Sequence, residues 1–557
     1  MGAGVMAPAE RKDKRGRVMQ IPSGAAMSVA AIYFSAFIVS SCAMDSAPPG
    51  SKPDSNSHTK QSNLVCHGDN RQIYNHDRNE VNHHLLHTTF IGDLAVETQE
   101  DNPKDIRQKL NEFLEEFKKF SADKPNRYKK LLIYLNGGLT SIDAARKQAA
   151  NQIPCMEADG YFPAFLIWRT EPLLTYGEQI AKVRNGKINR NIQPTTPLYL
   201  AGDLGEGLAR APITFYNQTA RYLDRLLFRD KTEYGVDVGG SIGQKHRYND
   251  PSREVNADHN VIFANDVDNG RSDIGGDILY TLTSPLRLVT TPFTDSMGKT
   301  AWENMLRRSR VTVRSAWEFQ PEFYEDRRTL GGAPTSRDEL IRIYERGTGA
   351  FSRFFQELAW CQSGLNGCAA NGMQSLLNDA EITVIGHSMG TIVLDQLLAR
   401  YPKLKIRNIV YMAAATSPRS FVTRVGPYLR ENRHTRFYSL MLHPLAEVRE
   451  TTFGGLFPSG SLLEWIDDMY ENPKTMIDRT MGKWRNIALT KHLFPPDLQD
   501  QMVFKIFGFG EGEGRFDLPN HRPPDPIIHG AFNDTRMFYW RPRFWQPDAG
   551  GLKWKYN

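Results

Sequence analysis

Apolar runs and helical repeats alternate along two stretches of this chain. Residues 382–385 (Ile-Thr-Val-Ile) are short, apolar and β-branched, the pattern of a buried strand. Residues 391–400 then place Ile392, Val393, Leu397 and Leu398 on one face of a helix. The strand pattern returns at 130–135, 165–168, 406–413, 436–442 and 502–507, and 88–97 reads as an early strand. Ile106, Leu110, Phe113, Leu114 and Phe117 repeat with helical period, as do Leu462, Leu463, Ile466, Met469 and Tyr470. Strands interleaved with helices predict an α/β architecture. Between 169 and 379 this rhythm disappears. There 209–230 and 301–315 (Trp302, Met305, Leu306, Val311) read as helices, and the polar, Gly/Asp/Asn-rich 242–277 reads as loop. An insertion of that length predicts a cap, and the apolar face at 462–470 suits a helix associated with it.

Gly386-His387-Ser388-Met389-Gly390 joins the 382–385 strand to its helix and fits G-x-S-x-G. Strand, tight turn and helix set a serine on a strained turn, where flanking small residues let the backbones pass closely. The hydroxyl then projects at a helix N-terminus, where the dipole favours developing negative charge. The 130–135 strand runs directly into Asn136-Gly137-Gly138-Leu139-Thr140, whose glycines let backbone N–H groups turn toward an oxyanion.

These residues resemble the α/β-hydrolase superfamily, in its lipase- and esterase-like branch. The resemblance covers about 88–168 and 380–540 in pattern, and the segment between gives no such match. It implies a mostly parallel sheet flanked by helices, with a large, mainly helical cap insertion. It makes Ser388 the nucleophile, and the N–H groups of Met389 and Gly138 the oxyanion donors. Asn136 stands where the family's HGG loop has histidine. The family order is serine, acid, histidine, with the histidine in the loop after the last strand. Only His521 and His529 qualify. His529 is preceded by Ile527 and Ile528 and followed by Gly530, so a turn can aim its ring, whereas His521 lies among prolines. Glu447, just after the 436–442 strand, is the expected acid, with Glu450, Asp467, Asp468 and Asp517 as alternatives. The reaction implied is acyl transfer to water through an acyl-serine, on an apolar or lipid-like carboxylic ester. No cofactor or metal is expected. The same residues leave open a serine amidase or thioesterase, and an inactive hydrolase-like fold serving as an envelope scaffold or binding protein.

The amino end reads as targeting rather than fold. A positive stretch at 11–17 precedes an apolar run at 25–39, too short for a confident membrane span. That run ends in Val39-Ser40-Ser41-Cys42, which resembles a bacterial lipobox. The resemblance makes 1–41 a signal peptide and Cys42 the lipidated first residue, with Ala43 favouring the outer membrane. Residues 42–62, rich in Ser, Pro, Lys and Asn, follow as a flexible tether. The remaining division is 63–168 as the first half of the sheet, 169–379 as the cap and 380–557 as the second half.

Four further cysteines, Cys66, Cys155, Cys361 and Cys368, suit disulfides in an exported protein. The short loop between Cys361 and Cys368 could close on itself. Six histidines lie between His58 and His87 without metal-ligand spacing. A net charge of +6, with Lys and Arg scattered, gives no basic stripe for nucleic acid. Gly298-Lys299-Thr300 lacks the earlier glycine of a phosphate loop, and 266–270 has Gly270 at an EF-hand ligand position. Residues 508–514 carry two glutamates that would repel a pyrophosphate.

Overall fold

The computed structural model describes residues 64–65, 72–73, 84–88, 103–123, 129–168, 170–184, 187–188, 192–227, 261–263, 284–315, 348–364, 372–442, 446–447, 450, 458, 460–507, 526 and 528–546. The signal, lipobox and tether readings, with Cys42, lie outside them. So do Cys66, Cys368, His521, Asp517 and the loop at 508–514.

Eight strands form one sheet: β1 (Leu85–His87), β2 (Lys130–Leu135), β3 (Tyr161–Ile167), β4 (Val261–Phe263), β5 (Glu381–His387), β6 (Asn408–Met412), β7 (Arg436–Leu442) and β8 (Met502–Phe507). Their order across the sheet is β1-β3-β2-β5-β6-β7-β8-β4, and every pairing is parallel. β3, β6, β7 and β8 are buried at every position, as expected of parallel strands covered on both faces. This is an α/β architecture, with helices α1 (Pro103–Asp123), α2 (Ile142–Ala158), α3 (Pro172–Lys182), α4 (Thr196–Leu227), α5 (Ser284–Val313), α6 (Ala350–Ser363), α7 (Met373–Asp379) and α8 (Gly390–Arg400).

One expectation needs correction, and another falls almost wholly outside the described residues. Leu85–His87 form an early strand, followed by Thr88, whose N–H bonds the carbonyl of Ile167 at 2.9 Å; residues 89–97, the rest of the strand expected at 88–97, lie outside the described set. The 242–277 stretch is not all loop, because Val261–Phe263 forms the edge strand β4 beside β8. The 169–379 insertion therefore supplies part of the sheet as well as helices. Its helix pair begins earlier than the pattern predicts, at Thr196 and Ser284 in place of 209 and 301.

Strand order fixes where a site can form. From β2 the chain moves outward to β3, and from β5 it moves the other way through β6, β7 and β8. β2 and β5 are neighbours, in register from Lys130 opposite Glu381 to Leu135 opposite Gly386. The carboxyl ends of two such strands open a crevice at the switch point of an open parallel sheet. Asn136-Gly137-Gly138 and Ser388 leave the sheet at that point.

The two loops meet there because Gly390 has no side chain. A Cβ at Gly390 would lie 2.5 Å from the Leu135 carbonyl oxygen and 2.9 Å from that of Asn136. Both contacts are with backbone, which cannot swing aside. Gly390→Ala should therefore destabilise the fold by about 1–3 kcal/mol. Gly177→Ala, within α3 and with nothing within 4 Å of the new methyl, should be neutral or stabilising by up to about 1 kcal/mol. Urea unfolding of both variants checks this; equal effects would show that backbone crowding at the loop junction is not what Gly390 relieves.

Candidate functional site

Ser388 sits in the left-handed region at φ 50°, which a residue with a Cβ adopts only when its surroundings hold it there. Its N–H donates to the Met412 carbonyl at 2.8 Å, locking the turn to β6. Its own carbonyl accepts from the N–H of Ala415 at 3.1 Å and from the Thr391 hydroxyl at 2.7 Å. Behind the turn, the buried Asp395 of α8 accepts from the hydroxyls of Tyr411, Thr416 and Ser420. Helix, β6 and the following loop are thus tied around one serine.

The structure brings Ser388 and His529 together: Nε2 of His529 lies 2.9 Å from Oγ of Ser388. His529 opens a short 3₁₀ turn, His529–Asn533, that packs onto α2. The side-chain amides of Gln152 and Gln148 donate to the Asn533 carbonyl at 2.7 and 3.2 Å. The C-terminal segment continues the anchoring, with the Arg541 guanidinium and the Trp540 indole N–H both on Asp159 at the end of α2. The same helix begins just after Asn136-Gly137-Gly138, with Ser141 as its N-cap. One helix therefore positions both the glycine loop and the histidine.

Gly138 lies against Met389: a Cβ there would be 3.5 Å from the Met389 Cβ and Sδ. The N–H groups of Gly138 and Met389 donate to no other group among the described residues. Two unspent donors beside a hydroxyl and an imidazole suit an anionic oxygen.

Glu447 and Glu450 are both buried nearby. Glu450, one of the alternatives in the sequence, accepts the backbone N–H of His529 at 2.9 Å through Oε2. Burial pushes its carboxyl up to about 7, and that N–H partly offsets the rise. The Glu447 carboxylate takes the Ser461 hydroxyl, and burial holds its proton well above the ordinary carboxyl range. The expected bond between Glu447 and the His529 ring is not formed. Oε1 of Glu447 and Nδ1 of His529 are both buried without a partner among the described residues. Asp467 is committed elsewhere, to Thr480, Asn486 and Lys483, and Asp468 pairs with Arg479.

His387, at the variable position of G-x-S-x-G, was not anticipated. Its Nε2–H donates to the His529 carbonyl at 3.2 Å, and the two rings lie 5.4 Å apart. Burial pulls the His387 imidazole down to about 4, which the His529 carbonyl only partly offsets. Burial first, and the His387 ring second, hold His529 well below its ordinary value. His529 is thus neutral around pH 7, the form that can accept a proton.

Cys155 and Cys361 are each disulfide-bonded. Of the other predicted features, His84 is a core histidine whose Nδ1–H meets the Pro163 carbonyl at 2.7 Å. Gly298 lies inside α5 under the Tyr470 ring, with no phosphate-loop geometry. The 462–470 helix packs on that same α5, Tyr470 stacking on Trp302.

The depressed imidazole of His387 carries a pH signature. The unfolded chain binds a proton near the ordinary 6.5 and the folded chain only near 4. Stability is therefore lost as pH falls through that window. In His387→Gln that loss is removed, so the melting temperature of the variant relative to the wild type should rise from pH 7.5 to pH 4.5. Calorimetry at the two pH values would show a constant difference if His387 were not the group titrating. Compared with protein-family models, curated proteins and solved structures, the chain matches none.

Proposed function

We propose that this chain is a serine hydrolase of α/β-hydrolase fold, cleaving apolar or lipid-like carboxylic esters through an acyl-serine intermediate. The observation that carries the reading is the 2.9 Å approach of a neutral, buried imidazole to a serine on a strained strand-to-helix turn. A serine hydroxyl is a weak nucleophile until a base takes its proton. His529 Nε2 is within reach to do so as Oγ attacks the ester carbon. The carbonyl oxygen then becomes an oxyanion beside the N–H groups of Met389 and Gly138. The His529 imidazolium returns its proton to the leaving alcohol, and water repeats the sequence on the acyl-serine.

Protonation of His529 creates positive charge beside two buried carboxyls. That charge draws a neighbouring carboxyl back toward its anionic form. Glu447, whose Oε2 takes the Ser461 hydroxyl while Oε1 has no partner among the described residues, is the acid in this reading. Glu450 holds the histidine by its main chain. Met305 of α5 lies beside the glycine loop, its Sδ 3.9 Å from where a Cβ of Gly138 would stand, and this apolar neighbour favours an apolar acyl group over a charged one.

Turnover of p-nitrophenyl esters of increasing chain length, with amide and thioester analogues, tests the reading. Ser388→Ala and His529→Ala should each lose at least about a thousandfold in kcat while staying folded. Glu447→Gln should lose roughly a hundredfold, more than Glu450→Gln. Residual turnover above a few per cent in Ser388→Ala would remove the nucleophile. Faster turnover of amides or thioesters than of esters would move the chain to one of those classes. A wild-type protein inert toward all three would favour the binding-protein reading.

The setting proposed is the bacterial cell envelope, with an outer-membrane lipoprotein anchored at Cys42 and facing the periplasm. Disulfides at Cys155 and Cys361 suit an oxidising compartment. No helix among the described residues is long and apolar enough to cross a membrane. Cys42→Ser should release the protein from the membrane fraction or block its maturation. Fractionation and intact mass identical to wild type would exclude lipidation at that cysteine.

A further inference from the structure

Helix α4 is built inside out. Its charged side chains turn toward α5: Arg210 reaches Asp295 at 3.3 Å, Glu206 meets Lys299 at 3.6 Å, and Asp203 accepts the Thr300 hydroxyl at 3.4 Å. Gly207 lies on the same side, where a Cβ would come 2.7 Å from the Pro292 carbonyl oxygen. The apolar residues point the other way. Leu198 is 73% exposed, Leu208 64%, Ile213 64%, Phe215 52% and Tyr216 71%.

At about 100° per residue, positions 198, 202, 205, 209, 212 and 216 form the outermost line of the helix. They read Leu, Gly, Gly, Ala, Pro, Tyr, with no charge among them. Nothing lies within 4 Å of where a Cβ would stand at Gly202 or Gly205. With Tyr199, the outward side chains expose roughly 800 Å², on the order of what one partner contributes to a stable specific interface.

We propose that this face docks against the same face of a second copy of the chain, helix on helix. Without charge on the face, there is nothing to complement an acidic or basic partner. A self-complementary apolar face closes on itself about a two-fold axis. Its shape separates a second helix from a lipid surface. A bilayer gains in proportion to apolar area, and glycine and alanine along the centre offer little. An opposing helix gains from those same small residues because its backbone can come close, while Leu198 and Tyr216 at the ends, with Leu208, Ile213 and Phe215 beside them, supply the buried area. The polar contacts to α5 keep the helix seated with this side outward.

The inference is independent of the hydrolytic reading, and its test reads assembly. Sedimentation velocity of the full chain at micromolar concentration should give a dimer. Leu208→Glu and Ile213→Glu should each give monomer, with melting temperatures close to wild type because both positions are exposed. Co-sedimentation with phosphatidylcholine vesicles is measured in parallel. A monomeric wild type overturns the proposal. So does a dimer that survives both substitutions, which would place the interface elsewhere. A monomer whose vesicle binding is lost in the variants overturns it in favour of a lipid surface.

Discussion

The close passage of the Ser388 turn over the end of β2 is the contact on which the rest of this structure depends. Ser388 is held at φ 50° between a strand and a helix, and Gly390 rests directly on the carbonyls of Leu135 and Asn136. The strain of such a conformation, on the order of 1–3 kcal/mol, persists only where the surroundings over-determine it. Here they do: the N–H of Ser388 is bound by the last residue of β6 and its carbonyl by the chain that follows, and Asp395 ties β6 and that chain to α8 through three hydroxyls. Crowding at one glycine thus sets the serine hydroxyl, the glycine loop and the amino end of α8 within reach of one another.

The second consequence is electrostatic. His387, His529, Glu447 and Glu450 are all buried, and burial drives each of them toward its neutral form. In the resting state the cluster carries little charge, which keeps its desolvation cost low. Proton transfer from Ser388 to His529 would create charge in surroundings that contain two unspent backbone donors and two carboxyls. Buried groups poised in this way serve the proposed hydrolysis through preorganisation, since little has to move when charge develops.

Much of the sheet was legible because parallel strands buried on both faces carry nearly unbroken apolar runs. Residues 130–135, 436–442 and 502–507 coincide with β2, β7 and β8 for this reason. β4 was not legible: Val261-Ile262-Phe263 is three residues inside a polar segment, and only its pairing with β8 makes it a strand. α4 was seen late because Gly202 and Gly205 weaken its helical signal and its apolar face points outward. In the site, motif and chain order pointed to Ser388 and His529. His387 escaped because it occupies a position the motif leaves free, although a polar ring ending a buried strand is itself a signal. Glu450 acts on a backbone N–H, a role with no sequence pattern.

The central claim is that Ser388 is a nucleophile activated by His529. A fluorophosphonate reacts covalently with such a serine and leaves an adduct that peptide mass spectrometry can assign to a residue. The account predicts a single adduct on the peptide containing Ser388, formed rapidly in the wild type and at least about a hundredfold more slowly in His529→Ala. A folded wild-type protein that forms no adduct, or one modified at a different residue, would contradict it.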